Sequence, residues 1–345
     1  MSAPTTAPSS SPTSHPTPPS STPTTSAPTT APTSTPPAPT STPPPSTSSP
    51  NAPGEARNAT NTGLAGDDVA ASDLTPVSGA VTYGTSYNGQ TISLRSYTGT
   101  VMVTGSHITI KDCTLTNGGL DSVGFLLRGD HNTVQNCNIT APAGQSMYEP
   151  VWVFGDSNQV LRNNISRGEN LLTTYGTNVT IAENYMHDVA LDSNPGDHPD
   201  GIEVYGGGPT LIQNNRIEED NQYDAPVNVA PYNGYTVTDL TVQGNFLDNG
   251  QSIILLDNQN PNGFIHNTRV TGNAFGGHQC VDPTYCFGRY HPSLNYDGRH
   301  YVQTEADLTA DPNAVLWPTT GADVNKWEEN NDLTPNKNGQ VVIPS

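Results

Sequence analysis

The chain has 345 residues, and its 32 acidic and 12 basic side chains give a net charge of −20. Phosphate neutralisation needs Lys and Arg, so this balance argues against a nucleic-acid partner, and it weighs against a highly anionic polysaccharide as well. No apolar run approaches the ~18–20 residues of a membrane-spanning helix.

Residues 1–54 hold no Asp, Glu, Lys or Arg but 17 of the 32 prolines; most of the rest is Ser, Thr and Ala. With so few large apolar side chains, such a stretch cannot offset its ordering entropy. Residues 1–56 are therefore predicted to be a disordered Pro/Ser/Thr-rich linker. Its proline density favours an extended, semi-stiff spacer that tethers the rest to another module or to a virus particle. Residues 1–30 carry no apolar stretch of the secretory kind. Either such a signal is removed, or the protein leaves by another route, as on a virion. An extracellular location, secreted or virion-associated, is the expectation.

From residue 110 a short pattern recurs: apolar, two residues, Cys or Asn, one residue, apolar. It runs Ile110-Lys-Asp-Cys113-Thr-Leu115, Val134-Gln-Asn-Cys137-Asn-Ile139, Val160-Leu-Arg-Asn163-Asn-Ile165 and Ile181-Ala-Glu-Asn184-Tyr-Met186. Ile212-Gln-Asn-Asn215-Arg-Ile217, Val242-Gln-Gly-Asn245-Phe-Leu247 and Val270-Thr-Gly-Asn273-Ala-Phe275 continue it. The Cys/Asn positions are 24, 26, 21, 31, 30 and 28 residues apart. Between them lie short apolar strands, several ending at Gly: Phe125 to Gly129, Val151 to Gly155, Leu171 to Gly176 and Ile202 to Gly206. Units of this length, with short strands and no helical period, are coils of a β-solenoid that bury their apolar faces only by stacking. An Asn inside each turn can satisfy its own turn's backbone and bond the Asn above and below. An antiparallel sandwich gives no reason for such a row and predicts hairpin turns every 8–12 residues, which are few here.

The row of turn asparagines resembles the right-handed parallel β-helix of the pectate-lyase-like superfamily. The fold class expected is all-β, a right-handed parallel β-helix over residues 57–305 with a C-terminal cap over 306–345; residues 55–80 would lead into the first coil. Cys113 and Cys137 occupy the Asn row in successive coils. Buried free thiols are the expected state, with an inter-coil disulfide as the competing one. Cys280 and Cys286 enclose a five-residue loop that a disulfide would clip.

In that superfamily the strand after the long loop forms the floor of the substrate groove. Alternation places one outward row at Leu126, Trp152, Thr173, Glu203, Asn228 and Ile254. A second outward row falls at Arg128, Phe154, Tyr175, Tyr205, Ala230 and Leu256. Flat rings such as Trp152, Tyr175 and Tyr205 suit the apolar faces of sugars, and Arg128, Asn228 and Glu149 suit their polar groups. The segment from Met186 to Glu203 gathers Asp188, Asp192, Asp197, His198, Asp200 and Glu203. Glu149 and Asn170 fall at the level of Asp200 on the preceding coils, with Asp224 close on the next. Carboxylates at one-coil spacing raise each other's pKa, which equips a pair for general acid/base work. Catalysis by His198, Asp200, Glu203 and Asp197 is one reading. A Ca²⁺ site from Asp197, Asp200 and Asp224, with Glu149, is another, and a simple turn is the third.

The His198-Pro-Asp200-Gly201-Ile202 sequence resembles a segment of uncharacterised bacterial and phage β-helix proteins. That resemblance implies a polysaccharide-processing lyase or glycoside hydrolase acting on an extracellular or cell-surface glycan. The alternative is a non-catalytic phage tail or receptor-binding protein. In an elimination, Arg128, Arg289 and Arg299 are the cations at hand.

Overall fold

In the computed structural model, the residues described are 54, 57–190, 199–218, 225–232, 235–248, 250, 252–256, 265–276, 288–292, 300–302, 314–316 and 326–329. Among them there are twenty-eight β-strands, three short 3-10 helices and no α-helix. The strands stack in parallel into two large sheets. One sheet has nine strands, Val81–Tyr83, Val101–Val103, Gly119–Leu127, Met147–Val153, Leu172–Thr174, Asp200–Val204, Ala225–Val229, Ser252–Leu256 and Gly288–Pro292. The other has fifteen. Its early strands, such as Thr133–Thr140, are long and bent. In the next coil the same path is split into Gln159–Leu161 and Asn164–Ser166. The chain thus winds around three faces, and its core is a column of stacked apolar rows. Val101, Phe125, Val151, Leu172, Ile202 and Val227 form one such row, and all six are fully buried.

The bend is made by two consecutive residues. The first is left-handed: Asp112, Asn136, Arg162, Glu183, Asn214, Gly244 and Gly272 all have φ between 52° and 64°. The second is the Cys/Asn of the repeat, and it points into the core. Asn184 shows what it does there. Its Nδ2 donates to Val160 O at 2.9 Å and to Asn215 Oδ1 at 2.9 Å, while its Oδ1 accepts the backbone N–H of Asn163 at 2.8 Å. Asn163, Asn215, Asn245 and Asn273 repeat this, giving a ladder of five side chains. A second, shorter ladder lies at another corner, where Asn132 and Asn158 donate to Gly105 O and Gly129 O. Those glycines explain why the strands end as they do. A Cβ on Gly129 or Gly155 would run into the carbonyl of the glycine one coil below.

Cys113 and Cys137 continue the main ladder, but as a disulfide rather than the expected pair of thiols. They are direct register partners on adjacent parallel strands, with Cα atoms 4.5 Å apart, which is within the reach of a bridge. Cys280 and Cys286 lie outside the described residues.

The entry into the solenoid also differs from expectation. Residues 57–67 do not lead into the first coil; they run as a strap over the row of left-handed corner residues. Gly54 packs against the backbone of Asn215 and Phe246. Arg57 pairs with Glu183 at 3.3 Å, Gly63 N–H donates to Arg162 O at 2.8 Å and Leu64 N–H to Asn138 Oδ1 at 3.3 Å. Asp67 accepts from Asn136 Nδ2 at 2.7 Å. Stacking begins afterwards, with Thr75–Ser78 paired to Arg95–Thr98. At the other end, Lys326–Glu329 pairs in parallel with Arg269–Thr271.

Two stability measurements follow. Asn184→Ala strips Asn163 N–H and Val160 O of partners in a dry corner and is expected to cost about 3 kcal/mol or more in urea unfolding. Replacing both Cys113 and Cys137 by Ser, or reducing the wild type, is expected to cost about 3 kcal/mol by the same assay, for a loop of this size.

Candidate functional site

The nine-stranded sheet carries most of the described residues expected at the site. Its register sets Met102, Leu126, Trp152, Thr173, Glu203 and Asn228 in one outward row, with Leu255 the backbone register partner of Asn228. This is the expected row except at its end, where Leu255 replaces Ile254. Ile254 is the register partner of Val227 and Leu256 of Val229, so the expected last positions of both rows are displaced by one. The segment Ile253-Ile-Leu-Leu is apolar at every position, and its alternation therefore carries no parity.

Glu149, Asn170 and Asp200 stand at one level, as the coil alignment requires. Asn170 is the hub. Its Nδ2 donates to Glu149 Oε1 at 3.3 Å and to Glu203 Oε2 at 2.8 Å, and its Oδ1 accepts Asp200 N–H at 2.9 Å. Thr173 Oγ1 lies 3.0 Å from Glu149 Oε1 and 3.5 Å from Glu203 Oε2. Both carboxyls are buried, Glu149 at 1% exposure and Glu203 at 5%. Burial, then the charge of Glu203, push Glu149 well above the usual carboxylate range, against the pull of its Thr173 and Asn170 hydrogen bonds. Its Oε2 is buried without a hydrogen-bond partner, and so are Trp152 Nε1 and Asn228 Oδ1.

Asp200, expected as a catalytic acid or metal ligand, has a different setting. Its Oδ1 accepts Ala225 N–H at 2.9 Å and its Oδ2 accepts Asn228 Nδ2 at 2.7 Å. It ties the next coil down and orients Asn228. Asp192, Asp197, His198, Asp224 and Arg299, and the side chain of Arg289, lie outside the described residues. Among the described residues, no group of three or more His, Cys, Asp or Glu side chains is placed to hold a metal ion.

The expected aromatic platforms form a band of rings in mutual contact. Trp152 and Phe154 have centroids 4.9 Å apart, Phe154 stacks on Tyr175 at 5.1 Å, and Tyr175 meets Tyr205 at 5.1 Å. Tyr148, Tyr232 and Tyr235, which the alternation did not single out, extend it. Arg128 lies over Phe154 at 5.1 Å. Burial, followed by the charge of Glu203, raises the Tyr205 pKa far above the phenol value. Tyr148 and Tyr175 are raised in the same way, first by burial and then by neighbouring carboxylates.

The raised Glu149 has a signed consequence. The folded state holds its proton more tightly than the unfolded chain, so Glu149's contribution is full below about pH 4.5 and is lost as pH rises through the folded-state value. Glu149→Gln is expected to flatten that part of the stability–pH curve and to raise the melting temperature at pH 7, as read by calorimetry at a series of pH values.

A family model described as a right-handed β-helix region matches residues 98–285. No curated protein and no solved structure matches the chain.

Proposed function

The chain belongs to the family of right-handed β-helix regions, and we propose that it hydrolyses a glycan, with Glu149 as proton donor and Glu203 as its ionised partner. The support is the pair of buried carboxyls anchored on one amide and one hydroxyl, with one carboxyl held protonated. Glu149 Oε1 accepts from Thr173 and Asn170, so the proton belongs on the unpartnered Oε2. It is the oxygen from which a leaving group would take the proton.

The near oxygens of the two carboxyls each lie within 3.3 Å of Asn170 Nδ2. They are therefore at most about 6 Å apart, nearer the ~5–5.5 Å of retaining glycosidases than the ~6.5–9.5 Å of inverting ones. In the retaining course the glycosidic C–O bond breaks toward its oxygen, which takes the Glu149 proton. Glu203 forms an ester to the sugar carbon, and a water deprotonated by Glu149 then releases it. Elimination with a tyrosine as base has less support, because such a base needs a lowered pKa and Tyr148, Tyr175 and Tyr205 are raised. The depth of the carboxyls and the mutual packing of the rings favour a second reading, glycan recognition without cleavage.

Digestion of a glycan panel, read for reducing ends and for ultraviolet absorbance of unsaturated products, separates these. Reducing ends alone are expected, with Glu149→Gln and Glu203→Gln each slower by about 10²–10⁴-fold. Unsaturated products would make the protein a lyase. Binding without cleavage would establish the recognition role.

A further inference from the structure

The outward row places Trp152, Thr173, Glu203 and Asn228 on four successive strands, with Glu149 reaching in beside them. Three buried atoms on these residues lack partners: Glu149 Oε2, Trp152 Nε1 and Asn228 Oδ1. Such atoms are costly to leave bare and mark where a ligand's polar groups would sit. The orientation of Asn228 is fixed from behind. Its Nδ2 is held by Asp200 Oδ2 at 2.7 Å, so the amide presents its oxygen, which only a donor can satisfy. Glu149, with its proton on Oε2, and the Trp152 indole N–H offer donors.

A sugar hydroxyl both gives and accepts a hydrogen bond, and it suits all three atoms. A uronate carboxylate has nothing to donate to Asn228 and would stand beside Asp200 and Glu203. Four of the described cations are held in ion pairs away from this row. Arg57 and Arg162 meet Glu183 on the flank, Lys111 meets Asp112, and Arg216 meets Glu218 on another face. Arg128 lies over the Phe154 ring.

Building on the hydrolytic reading, we propose that this site takes an uncharged glycan, reading its hydroxyls through Asn228, Trp152 and Glu149, and discriminates against uronate polymers. Asp200 is then a specificity-determining residue that acts by positioning Asn228.

The test uses polymers that differ only in charge: polygalacturonate and polymannuronate, each beside its carboxyl-reduced neutral counterpart, together with neutral glucans, xylans and mannans. Binding is measured by titration calorimetry on the full chain and cleavage by reducing ends. A neutral polymer is expected to be bound and cleaved at least tenfold better than any uronate. Trp152→Phe, which keeps a ring but removes the N–H, is expected to weaken that binding about tenfold, and Asn228→Asp by at least as much. Preference for a uronate over its reduced counterpart overturns this inference and leaves hydrolysis standing. Cleavage of a neutral polymer that is indifferent to both variants overturns the assignment of these atoms. Absence of both binding and cleavage across the set removes the hydrolytic reading, and this inference with it.

Discussion

A chain that winds around its own core must turn corners where water does not reach, and each corner brings backbone N–H and C=O groups inward. An unmet group of this kind costs about 1–3 kcal/mol, and a stack of coils multiplies the cost. The asparagine ladder meets it with one side chain per coil. Asn184, for example, takes the N–H of Asn163 and gives a proton to Val160 O on the preceding coil, and gives its other contact to Asn215 on the following one. Because each Asn closes bonds on both neighbouring coils, no coil can slip by a residue without orphaning several groups. Register is thereby fixed even where the intervening loops differ greatly in length. That is why Glu149, Asn170 and Asp200, drawn from segments 21 and 30 residues apart, meet at one level.

The site inherits this rigidity and applies it to charge. Burying two carboxyls together is unfavourable unless one is neutral or both are paired. Here Asn170 and Thr173 supply neutral donors to both groups, and the proton retained by Glu149 relieves the repulsion. The carboxylate of Asp200 is used differently, bonded to the backbone of the following coil and to Asn228. Three acids from neighbouring strands thus receive three environments. The ring band above them raises their burial and with it the sensitivity of each to its neighbours.

Much of the fold was legible because it is periodic. The Cys/Asn spacing identifies the ladder, and alternation puts Trp152, Thr173 and Glu203 in one row, as the register does. Glu149 was legible only through coil alignment, since its position shares parity with inward Val151, and its side chain nevertheless joins the outward cluster. The oxidation state of Cys113 and Cys137 was not legible, because a stacked thiol pair and a bridge occupy the same two positions. Nor was the strap: residues 57–67 have no period, and Leu64 bonds a side chain 74 residues away. The hydrogen bonds of Asp200 to the next coil were not legible for a related reason. A sequence shows that an acid enters a strand, but not which backbone groups of the next coil await it.

The strap has a mechanical consequence. It crosses the corner row from beside Asn215 and Phe246 back to Asn136, touching coil after coil on the way. Tension on the chain ahead of Gly54 therefore enters at the flank of the stack and loads these contacts in shear, many at a time. An end strand pulled from its neighbour would instead unzip one hydrogen bond after another. The first coil, which begins only at Thr75, is shielded from that load by everything the strap holds.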